Sequence, residues 1–116
     1  MEETRLGRIE ITPRAIASLA SQAVLKCYGV VGMASSSPVG SLSDILQRDS
    51  HRGVRVRVVD NQIIIDLYVI IEYGTRISEV AQNIMQAVRF QVERALGIPV
   101  ARVNVHVQGL RISTQE

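Results

Sequence analysis

The stretch that decides the fold is Gln62-Ile-Ile-Ile-Asp-Leu-Tyr-Val-Ile-Ile-Glu-Tyr-Gly-Thr75. Side chains of a strand alternate between two faces, and the odd-numbered face of this stretch is apolar throughout: Ile63, Ile65, Leu67, Val69, Ile71 and Tyr73. The even-numbered face mixes both kinds of side chain: Gln62, Ile64, Asp66, Tyr68, Ile70 and Glu72. A sheet in a small protein usually keeps one face in water. The apolar side chains of the second face, Ile64, Tyr68 and Ile70, therefore predict that a partner covers it.

Length and composition favour one globular domain. A chain of 116 residues and 12.8 kDa is long enough to bury its own core, so we expect a single domain over 1–116, with its core over 7–112. Its hydrophobic content of 47% and charged content of 21% exclude a disordered tail. The net charge of +2 is small, so charge alone is weak evidence for a polyanionic partner.

Cysteine usage and hydropathy bear on the compartment. Cys27 is the only cysteine, so no internal disulfide can form, and a reducing cytoplasm is the expected location. The N-terminal residues lack an apolar signal segment. No apolar run approaches the roughly 20 residues that span a bilayer. We therefore expect any association with the inner face of the membrane to be peripheral or indirect, through another protein.

The flanking residues predict the other elements. Proline at the first helical position after a hydroxyl side chain is typical of a helix start, and glycine is typical of a helix end. From these signals and from hydrophobic periodicity we expect two helices, one from Pro13 to Gly29 capped by Thr12 and one over Ile77–Leu96 capped by Thr75. Besides the long strand, we expect strands over Leu6–Ile11, Val30–Met33, Gly53–Asp60 and Arg102–Ile112.

Two connections complete the order. Asp60-Asn61 predicts a tight hairpin between the fourth segment and the long strand. Residues 35–52, which open with Ser-Ser-Ser-Pro, predict a mobile loop that is either functional or a spacer, with a short helix around Leu42, Ile45 and Leu46.

The order β-α-β-loop-β-β-α-β predicts a two-layer α+β sandwich, a mostly antiparallel sheet with two amphipathic helices on one face. We expect the valines of the flanking strands to point toward the helices: Val54, Val56, Val58, Val103, Val105 and Val107. The opposite, open sheet face would then carry Arg55, Arg57, Ile64, Asp66, Tyr68, Ile70, Arg102, Asn104, His106 and Gln108.

Four segments resemble the alkaline shock protein family of Gram-positive bacteria, also called Gls-type general stress proteins. They are Gly-Arg-Ile-Glu-Ile-Thr near the start, Cys-Tyr-Gly-Val-Val-Gly-Met after the first helix, Tyr-Gly-Thr-Arg-Ile-Ser-Glu-Val-Ala at the second, and Val-Asn-Val-His-Val-Gln-Gly-Leu at the end. They occur in the family's order over about 7–112, and the chain resembles its short cytosolic branch. The resemblance implies a non-enzymatic protein of the envelope stress response, without cofactor or catalytic residues. Some members form assemblies, and some reach the membrane through a separate anchor protein.

Two features invite a nucleic-acid hypothesis. Gly29-Val-Val-Gly32 has the spacing of the glycine loop that clamps a nucleic-acid backbone in KH modules, but such a loop joins two helices and carries basic residues. The end of a helix followed by the start of a strand explains the two glycines better. Arg55, Arg57, Arg102 and His106 could form a cationic stripe, although only Tyr68 is available there for base stacking.

Other kinds of site are poorly supported. His51 and His106 are the only histidines, no group has metal-ligand spacing, and Cys27 fits a buried small hydrophobe. His51 near Asp44 and Asp49 lacks the turn of a nucleophilic serine. The polar face of the second helix is rich in amides rather than in the cations of a membrane-surface helix.

The main functional hypothesis is therefore a non-catalytic interaction protein. It would act as a homo-oligomer or dock on another protein through its open sheet face, with no small-molecule substrate. The partner-binding residues would be Arg55, Arg57, Ile64, Tyr68, Ile70, Arg102 and His106. The alternative is a nucleic-acid-binding module that uses the arginine stripe.

Overall fold

A computed structural model describes residues 2–34 and 53–112. The described elements are the strands β1 (Glu2–Glu3), β2 (Arg8–Ile9), β3 (Val30–Met33), β4 (Val54–Val59), β5 (Gln62–Glu72) and β6 (Val100–Arg111), and the helices α1 (Pro13–Leu25) and α2 (Ile77–Leu96). They form an α+β fold with two helices and a mainly antiparallel sheet, which confirms the predicted class. The predicted loop and short helix over 35–52, with His51, Asp44 and Asp49, lie outside the described residues.

β5 is the centre of the main sheet. One edge of β5 pairs with β6, and this pair is parallel. The other edge pairs antiparallel with two strands in succession: β4 lies against Gln62–Leu67, and β3 lies against Val69–Ile71. β3 and β4 therefore run in the same direction, end to end, as two halves of one edge strand. The chain leaves this strand at Ala34 and rejoins it at Gly53, both of which hydrogen-bond to the backbone of Tyr68.

The core lies between β5 and the helices. The odd-numbered β5 side chains are deeply buried, from Ile63 at 4% exposed to Ile65, Leu67, Val69 and Ile71 at 0%. They join one cluster with the apolar stripes of both helices, which include Ile16, Ala20 and Val24 from α1 and Val80, Ile84, Val88 and Val92 from α2. Both helices thus cover the same face of the sheet.

The local signals at turns and caps are confirmed in most places. Asp60 and Asn61 both have positive φ, at 52° and 64°, as a two-residue hairpin requires. The Thr12 hydroxyl accepts a hydrogen bond from the Ala15 amide at the start of α1. Gly97 ends α2 in the left-handed conformation, with φ 77°. Gly29-Val-Val-Gly32 leads from a turn into β3, so the predicted strand start is confirmed and the segment does not join two helices as a KH-type loop would.

Other boundaries differ from the prediction. Thr75 does not cap α2: the capping position is Arg76, without a side-chain bond, and the Thr75 hydroxyl donates instead to the Glu72 carbonyl. α1 ends at Leu25 rather than near Gly29. The first strand shrinks to Arg8–Ile9, which pairs with Glu2–Glu3 in a separate two-stranded sheet.

The predicted burial fails where the sheet extends beyond the helices. Tyr73 lies past the end of β5 and is 63% exposed. Val58 and Val107 have the register of the helix side, yet they are 44% and 36% exposed. Their register partners on β5, Ile63 and Val69, are buried, so the two valines are exposed because they lie on the outer strands β4 and β6. The strand period places these side chains on the correct face without burying them.

Candidate interaction surface

The sheet face opposite the helices, here called the open face, is ordered by the pairing of β5 with its neighbours. Ile64 lies between Arg57 of β4 and Arg102 of β6. Asp66 lies between Arg55 and Asn104, and Tyr68 pairs with His106. Ile70 lies between Gly32 and Gly109, and Glu72 pairs with Arg111. All seven residues predicted to bind a partner thus fall on one continuous surface, because the parallel register of β6 brings residues 102–111 beside 64–72.

The centre of the open face is a carboxylate with three donors. Asp66 Oδ2 accepts from the Arg57 guanidinium at 2.9 Å, and Asp66 Oδ1 accepts from Asn104 Nδ2 at 3.0 Å. His106 Nε2 lies 3.2 Å from the same Oδ1. Asp66 is only 6% exposed although it faces away from the core, since these neighbours surround it. A carboxylate this well bonded locks the three strands in register on this face.

The protonation of Asp66 follows from these contacts. Burial by itself would raise the pKa of the carboxyl, because a charge is disfavoured away from water. Hydrogen bonds from Asn104, His106 and Arg57, together with the Arg57 charge, outweigh burial and leave the pKa of Asp66 below its ordinary value. The carboxylate is therefore ionised at neutral pH, and it offsets one of the positive charges of the face.

An aromatic pair adjoins this cluster. The rings of Tyr68 and His106 stack with their centroids 4.5 Å apart and their planes 12° apart. Since His106 also contacts Asp66, its ring is fixed from two sides. One face of the Tyr68 ring is therefore already in contact within the molecule.

The arginines of the face divide into two kinds. Arg57 is paired with Asp66, so it is part of the structure of the face. Arg55, Arg102 and Arg111 are exposed and make no ion pair with any residue in the described ranges 2–34 and 53–112. The predicted continuous cationic stripe is therefore interrupted by a buried carboxylate at its centre.

The hub of this arrangement, Asp66 with Asn104, is absent from the predicted site. A lone Asp between apolar residues of a central strand was a visible signal, because a buried charge needs partners. Those partners could not be assigned, since Asn104 and His106 are 38 and 40 residues further along the chain. Only the register of β6 against β5 brings them within reach.

Other reactive residues lie apart from the open face. Cys27 sits after α1, where its thiol donates to the Ala23 carbonyl and burial raises its pKa. It lines a shallow groove of about 250 Å³ between the helices, together with Ala87 and Phe90. A protonated, partly buried thiol behaves as a small apolar side chain. Among the described residues, no three histidine, cysteine or acidic side chains gather as a group that could hold a metal ion.

The chain belongs to the alkaline shock protein 23 family, described as having a cell envelope-related function, whose model matches residues 1–112. The uncharacterized protein YloU of Bacillus subtilis is 44% identical over 112 residues, which cover 95% of this chain and 93% of YloU. The uncharacterized protein Spy1614 of Streptococcus pyogenes is 36% identical, over 94% of this chain and 92% of that protein. The family resemblance drawn from the four motifs is confirmed.

Solved structures support the fold. A single-residue variant of MamM has a TM-score of 0.52 at 18% identity, over 86% of this chain and 99% of that one. The copper form of the MamM CTD has a TM-score of 0.51 at 17% identity, over 88% and 90%. At such identities the likeness concerns the arrangement of helices and strands alone. Within the described residues, no helix is both long enough and apolar enough to cross a membrane.

Proposed function

We propose that this protein is a non-catalytic interaction module of the cell envelope stress response, which acts in the cytoplasm by docking through its open face. The covering protein is a second copy of the chain or another protein. The observation that carries the proposal is that Ile64, Tyr68 and Ile70 are only half-buried, on a face that no described helix covers. Membership of a family with a cell envelope-related function supports the setting.

The character of the open face argues for recognition rather than chemistry. Its buried carboxylate is already engaged: Asp66 is held by Arg57, Asn104 and His106. The rest of the face mixes aliphatic and cationic side chains, with Ile64 between Arg57 and Arg102. Half-buried aliphatic side chains ringed by arginines are the composition of a protein–protein contact.

The test replaces the apolar centre of the face. In the double variant Tyr68→Glu, Ile70→Glu, we expect assembly in a sizing or light-scattering measurement, or recovery of a partner by pull-down, to fall at least tenfold. Tyr73→Glu is the matched control, because Tyr73 is 63% exposed but lies beyond the end of β5. A monomeric wild type that recovers no partner would contradict the proposal, as would equal assembly in the double variant.

A second candidate is nucleic-acid binding, favoured by the exposed arginines Arg55, Arg102 and Arg111 beside the ring pair of Tyr68 and His106. Phosphate contacts of this kind weaken steeply as salt rises. The candidate requires that a 20-nucleotide RNA binds at ~50 mM salt, and that Arg55→Ala flattens the salt dependence. The buried Asp66 and the nearby Glu72 oppose it, because both repel phosphate.

A further inference from the structure

Ile70 is flanked by glycine on both neighbouring strands. Gly32 of β3 and Gly109 of β6 are its register partners, so β5 carries the only side chain in this row of the open face. The rows nearer the start of β5 differ: Ile64 lies between two arginines, and Asp66 lies between Arg55 and Asn104. The row therefore forms a notch, defined by Gly32, Ile70 and Gly109.

The fold does not require glycine at either position. Neither residue has a positive φ, so the backbone conformation suits any L-amino acid. A Cβ atom added at Gly32 or Gly109 meets nothing within 4 Å. Gly53 shows the contrast, since its added Cβ would lie 2.8 Å from the Ala34 carbonyl oxygen. Each of the two glycines adjoins a register shift of its strand pairing, but without a positive φ such a bulge accepts other residues as well. Glycine inside a strand weakens the sheet, and it often marks a bulge or a place where another chain or a ligand approaches closely.

The notch has walls of different character. On one side stand the stacked rings of Tyr68 and His106, and on the other stand Glu72 and Arg111, paired in register. Tyr68 and Glu72 are four residues apart along β5, which is about 13 Å at ordinary strand spacing. The Ile70 side chain lies midway between these walls, and the two glycines leave the space on either side of it open.

The charge of the surrounding face selects the partner. The face carries Arg55, Arg57, Arg102 and Arg111 against Asp66 and Glu72, a net charge of +2 with His106 neutral. Two copies placed face to face would bring like charges together, which disfavours that pairing. An acidic segment has the complementary charge. The aliphatic floor suits a protein side chain better than a nucleotide base, which prefers an aromatic platform.

We infer that the notch over Gly32, Ile70 and Gly109 receives an apolar side chain from an acidic segment of a different protein, with carboxylates on that segment facing Arg55, Arg102 and Arg111. This inference rests on the proposed docking function and deepens it. It names the place of closest approach on the open face and the chemistry of the partner.

The experiment first finds peptides that bind the protein, and then fills the notch by replacing a glycine, which leaves every existing side chain of the face unchanged. Phage-displayed random 12-residue peptides are selected on the immobilised full chain, and the selected peptides are synthesised. We expect enrichment in one aliphatic or aromatic residue flanked by Asp or Glu. Binding should fall at least tenfold in Gly109→Val, although valine suits a strand and the urea midpoint should hold or rise. Leu110→Val, the next residue along β6 on the helix side, should bind as wild type.

The remaining variants separate this inference from the proposed function. Gly32→Ala fills the notch from the other edge and serves if Gly109→Val fails to fold. Peptides lost in Ile70→Glu but retained in both glycine variants would overturn the notch and leave docking through the open face intact. Peptides retained in all three variants would overturn both. Three outcomes would each overturn the inference that the partner is an acidic segment of another protein. They are selected peptides without acidic enrichment, a self-association that Gly109→Val abolishes, and an RNA binding that Gly109→Val abolishes.

Discussion

Asp66 is the residue on which the open face is organised. Its neighbours along β5 are Ile65 and Leu67, both fully buried, while its own carboxylate turns the other way to collect donors from β4 and β6. Because the pKa of Asp66 is lower in the folded protein than in the unfolded chain, ionisation stabilises the folded state. That contribution is complete above the unfolded pKa of about 4, and it is lost as the pH falls through the lower, folded pKa.

Asp66→Asn should therefore lower stability in a pH-dependent way. At pH 7 we expect a loss of about 1–3 kcal/mol in the free energy of unfolding, because donors aimed at a carboxylate lose their charged acceptor. The difference from wild type should shrink below about pH 4. Urea unfolding from pH 7 to pH 3 measures it.

Glu79→Gln provides the control for this series. Its carboxylate pairs with Arg76 at 3.3 Å, but both side chains are mostly exposed, at 63% and 81%. Exposed pairs contribute little, so its midpoint should track the wild type throughout. A difference between Asp66→Asn and wild type that stayed constant down to pH 3 would show that ionisation of Asp66 is not what stabilises the sheet.

Among the elements, the divided edge strand is the least expected feature. The sequence predicts β3 and β4 separately, and the hairpin signal at Asp60-Asn61 predicts how β4 meets β5. Nothing local indicates that β3 continues the same edge, because that requires a contact between Ala34 and Gly53 across 18 intervening residues. The parallel pairing of β6 with β5 is easier to predict from sequence, because a strand, a 20-residue helix and a strand form the unit that usually yields a parallel pair.

Gly53 is where the two half-strands meet, and it should not tolerate a side chain. Its φ is 81°, and an added Cβ would lie 2.8 Å from Met33 Cβ and 3.0 Å from the Tyr68 carbonyl oxygen. Gly74 is the matched control, with φ 100° and open space around the added atom. We expect Gly74→Ala to cost about 1–2 kcal/mol from backbone strain alone. Gly53→Ala should cost a further 1–3 kcal/mol or so from the clash.

Equilibrium urea unfolding of the two alanine variants measures this difference. Circular dichroism at low denaturant checks that both retain the native fold before the midpoints are compared. Equal losses at the two positions would mean that the junction between β3 and β4 opens enough to accept a methyl group. The end-to-end arrangement of the half-strands would then be looser than the hydrogen bonds of Tyr68 to Ala34 and Gly53 imply.

At the scale of the whole molecule, the division into a helix side and an open side follows from the two-residue strand period. The helical stripes and the odd-numbered residues of β5 are visible in the sequence, so most of the core could be predicted. Val100, which is 2% exposed, was missed because the last strand was predicted to begin at Arg102. The strand period could not predict how much of the sheet the two helices cover. Val58 and Val107 show this, since parity sets their side of the sheet, but they lie on the outer strands β4 and β6 and are exposed although their β5 partners are buried.

The same division makes a quantitative prediction for two adjacent isoleucines. Ile65 is fully buried against the helices, whereas Ile64 is half-buried on the open face between Arg57 and Arg102. Ile65→Ala should cost about 2–5 kcal/mol in the free energy of unfolding, through lost burial and the cavity it leaves. Ile64→Ala should cost less than half as much, because no packed layer lies above it. Both variants replace isoleucine by alanine in the same strand, so each is the control for the other when their free energies of unfolding are measured in urea. Equal losses would show that the open face is already packed in the isolated chain, which would remove the reason for a partner to cover it.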